Sequence, residues 1–205
     1  MGDAPTAMLW LLNKIYVRAI HRVESSGNEI LPQNICPGPL VVVCNHQSPI
    51  DPLLVQSQCR FKIRWLMAQE FMEPSLDYIW KHSGVIPVAR DGQDSTALRL
   101  ALRELKNGGV IGIFPEGGIH QPREAIHPFT EGIGAMIAKT NATVLLVSVT
   151  DTPINDEMRD AMFEPSHSKV EFIEIIDYPK NLSKLEITND LRHRLGKATG
   201  WSLVN

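Results

Sequence analysis

Short uninterrupted apolar runs mark the centre of this chain. Residues 40–44 (LVVVC), 110–114 (VIGIF) and 143–149 (TVLLVSV) are rich in β-branched side chains and too short for buried helices. Such runs read as strands covered on both faces. Residues 62–68 alternate and predict another strand. Residues 84–90 predict a short extended segment that Pro87 confines to an edge or a strand end. Residues 169–176 give a last strand. Between these runs the period lengthens to that of a helix. Asp94 and Ser95 cap a helix to Lys106 with Leu98, Ala101, Leu102 and Leu105 inward, and Asn107, Gly108 and Gly109 end it. Further helices are expected from Asp51 to about residue 57, over 71–82 around Pro74, over 130–140 and over 185–197. Gly132 and Gly134 count against the third of these. Strands alternating with helices predict an α/β fold, a largely parallel central sheet flanked by helices on both faces.

The first residues carry a different pattern. Met8, Leu9, Leu11, Leu12, Ile15, Tyr16, Ala19 and Val23 recur at helical spacing, and Lys14, Arg18 and Arg22 form a basic stripe on the other side, with Trp10 and His21 nearby. This suits a helix lying in a membrane interface, and also an amphipathic helix packed on a domain. Residues 1–24 are therefore read as an amphipathic, membrane-associating N-terminal helix. Residues 25–28 are read as a loop, and residues 25–205 as one domain. No apolar run reaches the length that crosses a bilayer. No secretory leader is expected, because the first basic residue, Lys14, follows the first apolar cluster.

Composition narrows the function classes. With 43% hydrophobic and 21% charged residues the chain is globular rather than disordered. A net charge of -3 argues against a general nucleic-acid binder. The three cysteines, Cys36, Cys44 and Cys59, lack zinc-type spacing, and their odd number points to a reducing compartment. Cys44 sits inside the first strand, where it reads as core; a thiol nucleophile there is the alternative.

The chemistry lies at two strand ends, where α/β proteins build their sites. Asn45, His46, Gln47, Ser48, Pro49, Ile50 and Asp51 follow the first strand, and Phe114, Pro115, Glu116, Gly117 and Gly118 close another. A neutral imidazole accepts a proton from an alcohol near pH 7. A carboxylate on its second nitrogen fixes the tautomer and stabilises the imidazolium. The turn between His46 and Asp51 is short enough to fold the carboxylate back onto the ring. Out of context the same pair describes a surface histidine beside a helix-capping aspartate. The preceding strand and the proline turn favour the dyad, with the substrate's own hydroxyl as nucleophile.

These segments resemble the glycerolipid acyltransferases of the bacterial 1-acylglycerol-3-phosphate acyltransferase type. The family's first block, a histidine and an aspartate separated by four residues, is met by His46 and Asp51. Its second, a glycine-to-arginine segment, is met by Gly84 to Arg90. Its third, Phe-Pro-Glu-Gly-Thr-Arg-Ser, is met by Phe114 to Gly117. The resemblance implies acyl transfer from a thioester of coenzyme A or acyl carrier protein to a glycerolipid hydroxyl. It makes His46 the general base and Asp51 its orienter. It assigns the acceptor phosphate to Arg90, and has Glu116, Gly117 and Gly118 shape the acceptor site. A surface ion pair with Asp91 or Asp94 is the alternative for Arg90. No metal and no cofactor beyond the thioester co-substrate is implied. The expected partners are a membrane lipid acceptor, the thioester donor and a membrane surface met through the N-terminal helix. The expected location is peripheral or monotopic, on the cytoplasmic face of a membrane.

Two departures bear on the acceptor. The family's threonine, arginine and serine are here Gly118, Ile119 and His120, so a phosphate-binding arginine is missing at Ile119, with Arg123 or His120 as candidate substitutes. The fourth block's proline is Leu146. Transacylases of the tafazzin type also lack that arginine, and Gly132, Ile133 and Gly134 look similar to their next segment. The acceptor is accordingly lysophosphatidate or, as the alternative, another lysophospholipid or lyso-aminolipid. A hydrolase would need water in the acceptor site, since no Gly-x-Ser-x-Gly elbow is present. A non-catalytic lipid-binding protein is disfavoured by the intact His46 and Asp51.

Overall fold

The computed structural model describes residues 4–89 and 96–204. Its elements are α1 (Ala4–Ile20), β1 (Glu24–Ser26), β2 (Leu40–Cys44), α2 (Asp51–Gln58), β3 (Arg64–Ala68), α3 (Asp77–Ser83), β4 (Ile86–Val88), α4 (Thr96–Lys106), β5 (Val110–Ile113), β6 (Ala125–Ile126), α5 (Gly132–Thr140), β7 (Thr143–Thr150), α6 (Met158–Phe163), β8 (Lys169–Ile176), α7 (Lys184–Thr199) and β9 (Ser202–Leu203). Among the described residues, one sheet holds seven strands in the order β1-β8-β7-β2-β5-β3-β4, and β6 pairs with β9 apart from it. Within the large sheet every pairing is parallel except β7 with β8. This is the expected α/β fold, a mostly parallel sheet between helical layers.

The apolar runs became the centre of that sheet. All residues of β2 and β5 are buried. Alternate side chains of β2 and β7 enter opposite layers. Val42, Cys44, Leu145 and Val147 pack with Leu54, Phe61, Trp65 and Phe114 on one side. Val41, Val43, Val144 and Leu146 pack with Ile133, Ile137, Leu191 and Leu195 on the other. The two-residue repeat of a strand supplies both layers from one run. Because β2 lies between β5 and β7 in parallel register, the C-terminal ends of all three reach the same edge.

Local signals set several helix ends. Pro52 stands in the first turn of α2, where its missing N–H costs nothing. Ser183 and Glu186 form a reciprocal capping box at the start of α7. Elsewhere the outcome differs from the expectation. Residues 71–82 do not form one helix: 3-10 turns at Gln69–Phe71 and Pro74–Leu76 precede the short α3. Pro74 cannot donate to a preceding turn, so it begins an element rather than continuing one. Ser25 and Ser26 belong to an edge strand and Asn28 to a 3-10 turn, not to a loop. The expected cap at Asp94 and Ser95 lies outside the described residues.

The N-terminal helix packs across α2 and α3. Its inward side is mixed in polarity. The Trp10 indole N–H donates to the Cys59 carbonyl (3.2 Å), and the Asn13 amide to the Leu53 carbonyl (3.0 Å). Val17 is buried, and the Tyr16 hydroxyl donates to the Met162 carbonyl (2.8 Å). The outward side carries Met8, Leu11, Leu12 and Ile15, each more than half exposed (51–58%). Amphipathicity is thus inverted: solvent meets the apolar stripe.

Gly134 explains why a glycine-bearing segment is nonetheless a helix. A Cβ there would lie 1.9 Å from the Lys184 carbonyl oxygen and 2.5 Å from the Thr188 hydroxyl, so α5 and α7 touch through bare backbone. Tertiary packing overrides the low helix propensity of glycine. A Cβ at Gly132 would meet nothing within 4 Å. Gly134→Ala is expected to destabilise by about 1–3 kcal/mol, the usual range for overpacking. Gly132→Ala is expected to be neutral or stabilising by up to ~1 kcal/mol. Urea unfolding of the two variants side by side measures the difference.

Candidate functional site

β2 ends at Cys44, and the next residue already works at the sheet edge. The Asn45 side chain accepts from the Val149 amide (2.9 Å) and donates to the Val149 carbonyl (2.8 Å). A side-chain amide thereby continues the β2–β7 ladder past its last backbone pair and fixes the direction in which His46 leaves the sheet. Asn45 is buried, as are Gln47, Ser48 and Asp51.

His46 and Asp51 come together as the spacing predicted. Asp51 opens α2, and its Oδ2 accepts from His46 Nδ1 at 2.9 Å. The same oxygen accepts the backbone amides of Gln47 (2.7 Å) and Ser48 (2.8 Å). Three donors on Oδ2 offset part of the cost of burying Asp51, whose Oδ1 is buried with no hydrogen-bond partner among the described residues. They also require that Nδ1 carry its proton, which leaves Nε2 as the basic nitrogen. The His46 side chain is 17% exposed, and its Nε2 makes no hydrogen bond among the described residues. The imidazole is stacked on Phe114 (centroids 4.1 Å apart, planes 18° apart), and Phe114 in turn on Trp65 (4.8 Å, 12°). Gly112 makes room for this stack, since a Cβ there would lie 2.4 Å from the Trp65 ring.

Glu116 is buried beneath the histidine. Its Oε1 accepts the His46 backbone amide (3.2 Å) and its Oε2 the His127 backbone amide (3.0 Å). Burial raises its pKa above the usual carboxylate value, and the two amide donors and nearby His127 and His46 oppose that rise. Glu116 thereby ties the segment after β5 to the His46–Asp51 turn and to the segment around β6. Gly117 adopts a left-handed conformation (φ 77°), and its amide donates to the Phe114 carbonyl (3.1 Å). Gly117 itself is exposed, and Gly118 after it is half-buried. Arg90 lies outside the described residues.

The two candidates for the missing arginine have different surroundings. The Arg123 guanidinium donates to the Gln47 carbonyl, the Ile154 carbonyl (2.5 Å) and the Asp156 carboxylate (2.6 Å), while the Gln47 side chain donates back to the Arg123 carbonyl (2.6 Å). Arg123 clamps two loops onto the His46–Asp51 turn. His120 Nε2 donates to the Glu116 carbonyl (3.1 Å), and its ring lies 4.9 Å from that of His127. Cys44 is fully buried, and its thiol pKa is pushed well up by desolvation, then by the Asp51 and Glu116 carboxylates. A thiolate nucleophile there is disfavoured, and Cys44 serves the core.

Sequence reasoning missed the positioning residues. Asn45 stood inside the quoted motif, but nothing in its identity announced a bond to a strand a hundred residues away. The roles of Phe114 and Trp65 follow from pairing of β3 with β5, which only the fold reveals. His127 carries no sequence signal at all, because its contribution is a backbone amide.

The geometry can do one thing chemically: accept a proton at a fixed nitrogen beside an open rim. Comparisons with known proteins bear on the family and the fold. The crystal structure of the 1-acyl-sn-glycerophosphate (LPA) acyltransferase PlsC from Thermotoga maritima superposes with a TM-score of 0.75, covering 95% of this chain and 80% of that one at 21% sequence identity. At that identity the likeness speaks for the fold. An N-acylphosphatidylethanolamine synthase from Arabidopsis thaliana is 28% identical over 145 residues, 64% of this chain. The chain spans half (50%) of the length of that relative. The Acyltransferase family model matches residues 22–154, a stretch that contains the dyad, Glu116 and Arg123, and this chain belongs to the acyltransferase family.

Proposed function

We propose that this protein moves a fatty acyl group from an acyl thioester, of coenzyme A or acyl carrier protein, to the free hydroxyl of a lysophosphatidate-type glycerolipid. The observation that carries the reading is the His46 imidazole, held through Nδ1 by Asp51 with Nε2 unbonded at the rim. His46 Nε2 takes the proton of the acceptor hydroxyl as its oxygen attacks the thioester carbonyl. The tetrahedral intermediate then expels the thiolate, which takes the proton back from the imidazolium. Asp51 stays ionised throughout and stabilises the transient positive charge. Charge on the former carbonyl oxygen calls for a preorganised hydrogen-bond donor. The Gly118 amide is the candidate, since that of Gly117 already donates to Phe114. The resemblance assigns the acceptor phosphate to Arg90, and Glu116 supports the acceptor side by holding the turn.

A second reading keeps this chemistry and changes the acceptor to a lysophospholipid with a larger head group. Ile119 stands where the family has an arginine, and Arg123 is committed to Gln47, Ile154 and Asp156. A phosphodiester carries less charge than a phosphomonoester and asks less of the missing cation. The similarity to a protein named for phosphatidylethanolamine chemistry supports the same direction.

We also propose that the protein works at a membrane surface through α1. No helix among the described residues is long and apolar enough to cross a bilayer. The exposed stripe of Met8, Leu11, Leu12 and Ile15 is what an interfacial helix presents. Phe71, Tyr78 and Ile79, in and before the neighbouring α3, add exposed apolar surface.

Three outcomes test these readings. His46→Ala is expected to lose about 10⁴-fold in transfer from palmitoyl-CoA to lysophosphatidate while keeping its unfolding midpoint; full activity contradicts the base assignment. In an acceptor panel, lysophosphatidate should outpace lysophosphatidylethanolamine by product mass analysis, and the reverse order selects the second reading. Leu11→Ser with Ile15→Ser should lower co-sedimentation with vesicles without lowering stability, because both side chains face solvent. Unchanged co-sedimentation removes α1 from the membrane contact.

A further inference from the structure

A polar cleft of about 330 Å³ lies between α1, the segment after β1 and the far end of α2. Lys14 and Arg60 both line it, together with the polar side chains of Ser25, Asn28, Gln33 and Gln58. No carboxylate is among its lining residues. Arg60 is exposed and makes no ion pair among the described residues. The Lys14 ammonium is held 4.1 Å from the centroid of the Trp10 ring, whose own N–H is fixed to the Cys59 carbonyl next to Arg60. Two cations thus line one cleft with amides around them and no carboxylate in the lining.

The cleft is separate from the acyl-transfer site. The dyad sits at the start of α2 and Gln58 at its end, about 10 Å along the helix at ~1.5 Å per residue. The cleft also borders the apolar stripe. On α1, Lys14 and Arg18 occupy the flank beside Leu11 and Ile15. On the other side Ile35, two residues beyond Gln33, is 54% exposed. A cationic cleft bordered by solvent-facing apolar side chains matches the head group and glycerol region of a bilayer, where anionic lipids attract basic residues.

We propose that this cleft is a second binding site, one that holds the phosphate of an anionic phospholipid head group and sets the protein on the membrane. The proposal rests on the reading of α1 as the bilayer-facing element. Phosphates free in solution, such as those of coenzyme A, share the chemistry, and the apolar border selects the lipid. The test compares the intact chain with Lys14→Gln/Arg60→Gln, with Arg60→Gln alone, and with Arg18→Gln/Arg22→Gln. The last removes two charges from the same helix region outside the cleft lining.

Co-sedimentation is measured with vesicles of phosphatidylcholine alone and of phosphatidylcholine mixed with phosphatidylglycerol. Coenzyme A binding is measured by equilibrium dialysis. The cleft variants should lose roughly tenfold of the preference for phosphatidylglycerol, about the effect of losing one to two surface cations. They should keep binding to phosphatidylcholine and coenzyme A, and the Arg18/Arg22 variant should lose less. Equal loss in both double variants would reduce the cleft to diffuse attraction and overturn the proposal. So would loss of coenzyme A binding with the lipid preference intact. Arg60→Gln alone keeps the test readable if the Lys14 change disturbs α1. Wild-type transfer in detergent micelles reports separately on the acyltransferase chemistry, so failure of one reading does not pass for failure of the other.

Discussion

One buried carboxylate oxygen organises the reactive edge of this protein. Oδ2 of Asp51 gathers the His46 imidazole and the amides of Gln47 and Ser48, all within 2.9 Å. Each bond to a charged group contributes about 1.5–3 kcal/mol where it is made, and a buried carboxylate without such donors costs more than that. The turn is thus closed by three donors on one oxygen, one of them the imidazole Nδ1. The same bond engages Nδ1 and leaves Nε2 as the ring nitrogen with no partner among the described residues. Structure and reactivity share one constraint, and it is satisfied within six consecutive residues.

The wider fold holds that turn still. Asn45 ties its start to β7, Glu116 ties His46 to the segment after β5, and Arg123 ties Gln47 to the 151–157 loop. Phe114 and Trp65 back the ring with a stack that needs Gly112 behind it. Four segments distant in sequence thus converge on one imidazole because β2 lies between β5 and β7 with β3 beside β5. Packing density then converts this convergence into precision, since a close-packed interior resists small shifts.

What could be read from the chain beforehand follows the range of the interactions. The buried strands were legible because a continuous β-branched run has few other uses, and the dyad because both partners sit in one turn. The segment around Pro74 broke into 3-10 turns and a short helix, because the proline begins an element where the apolar periodicity alone suggested one continuous helix. β1 was invisible because its three residues, Glu24–Ser26, are polar and gain their order from pairing with β8. The inversion of α1 was half legible: the stripe was plain, but which side faced the domain depended on Trp10 and Asn13 finding carbonyls on α2 and just beyond it. Glu116 stands in a motif visible in the sequence, whereas its bonds to two backbone amides required the fold.

The acyl-transfer account stands on a base that activates an acceptor rather than water, and one assay addresses that difference. Thiol release from palmitoyl-CoA by the wild-type chain is followed with and without lysophosphatidate, and the lipid products are identified by mass. The account predicts release that depends on the acceptor, with phosphatidate formed in equal amount. Release at the same rate without acceptor, with free palmitate as the product, would contradict it.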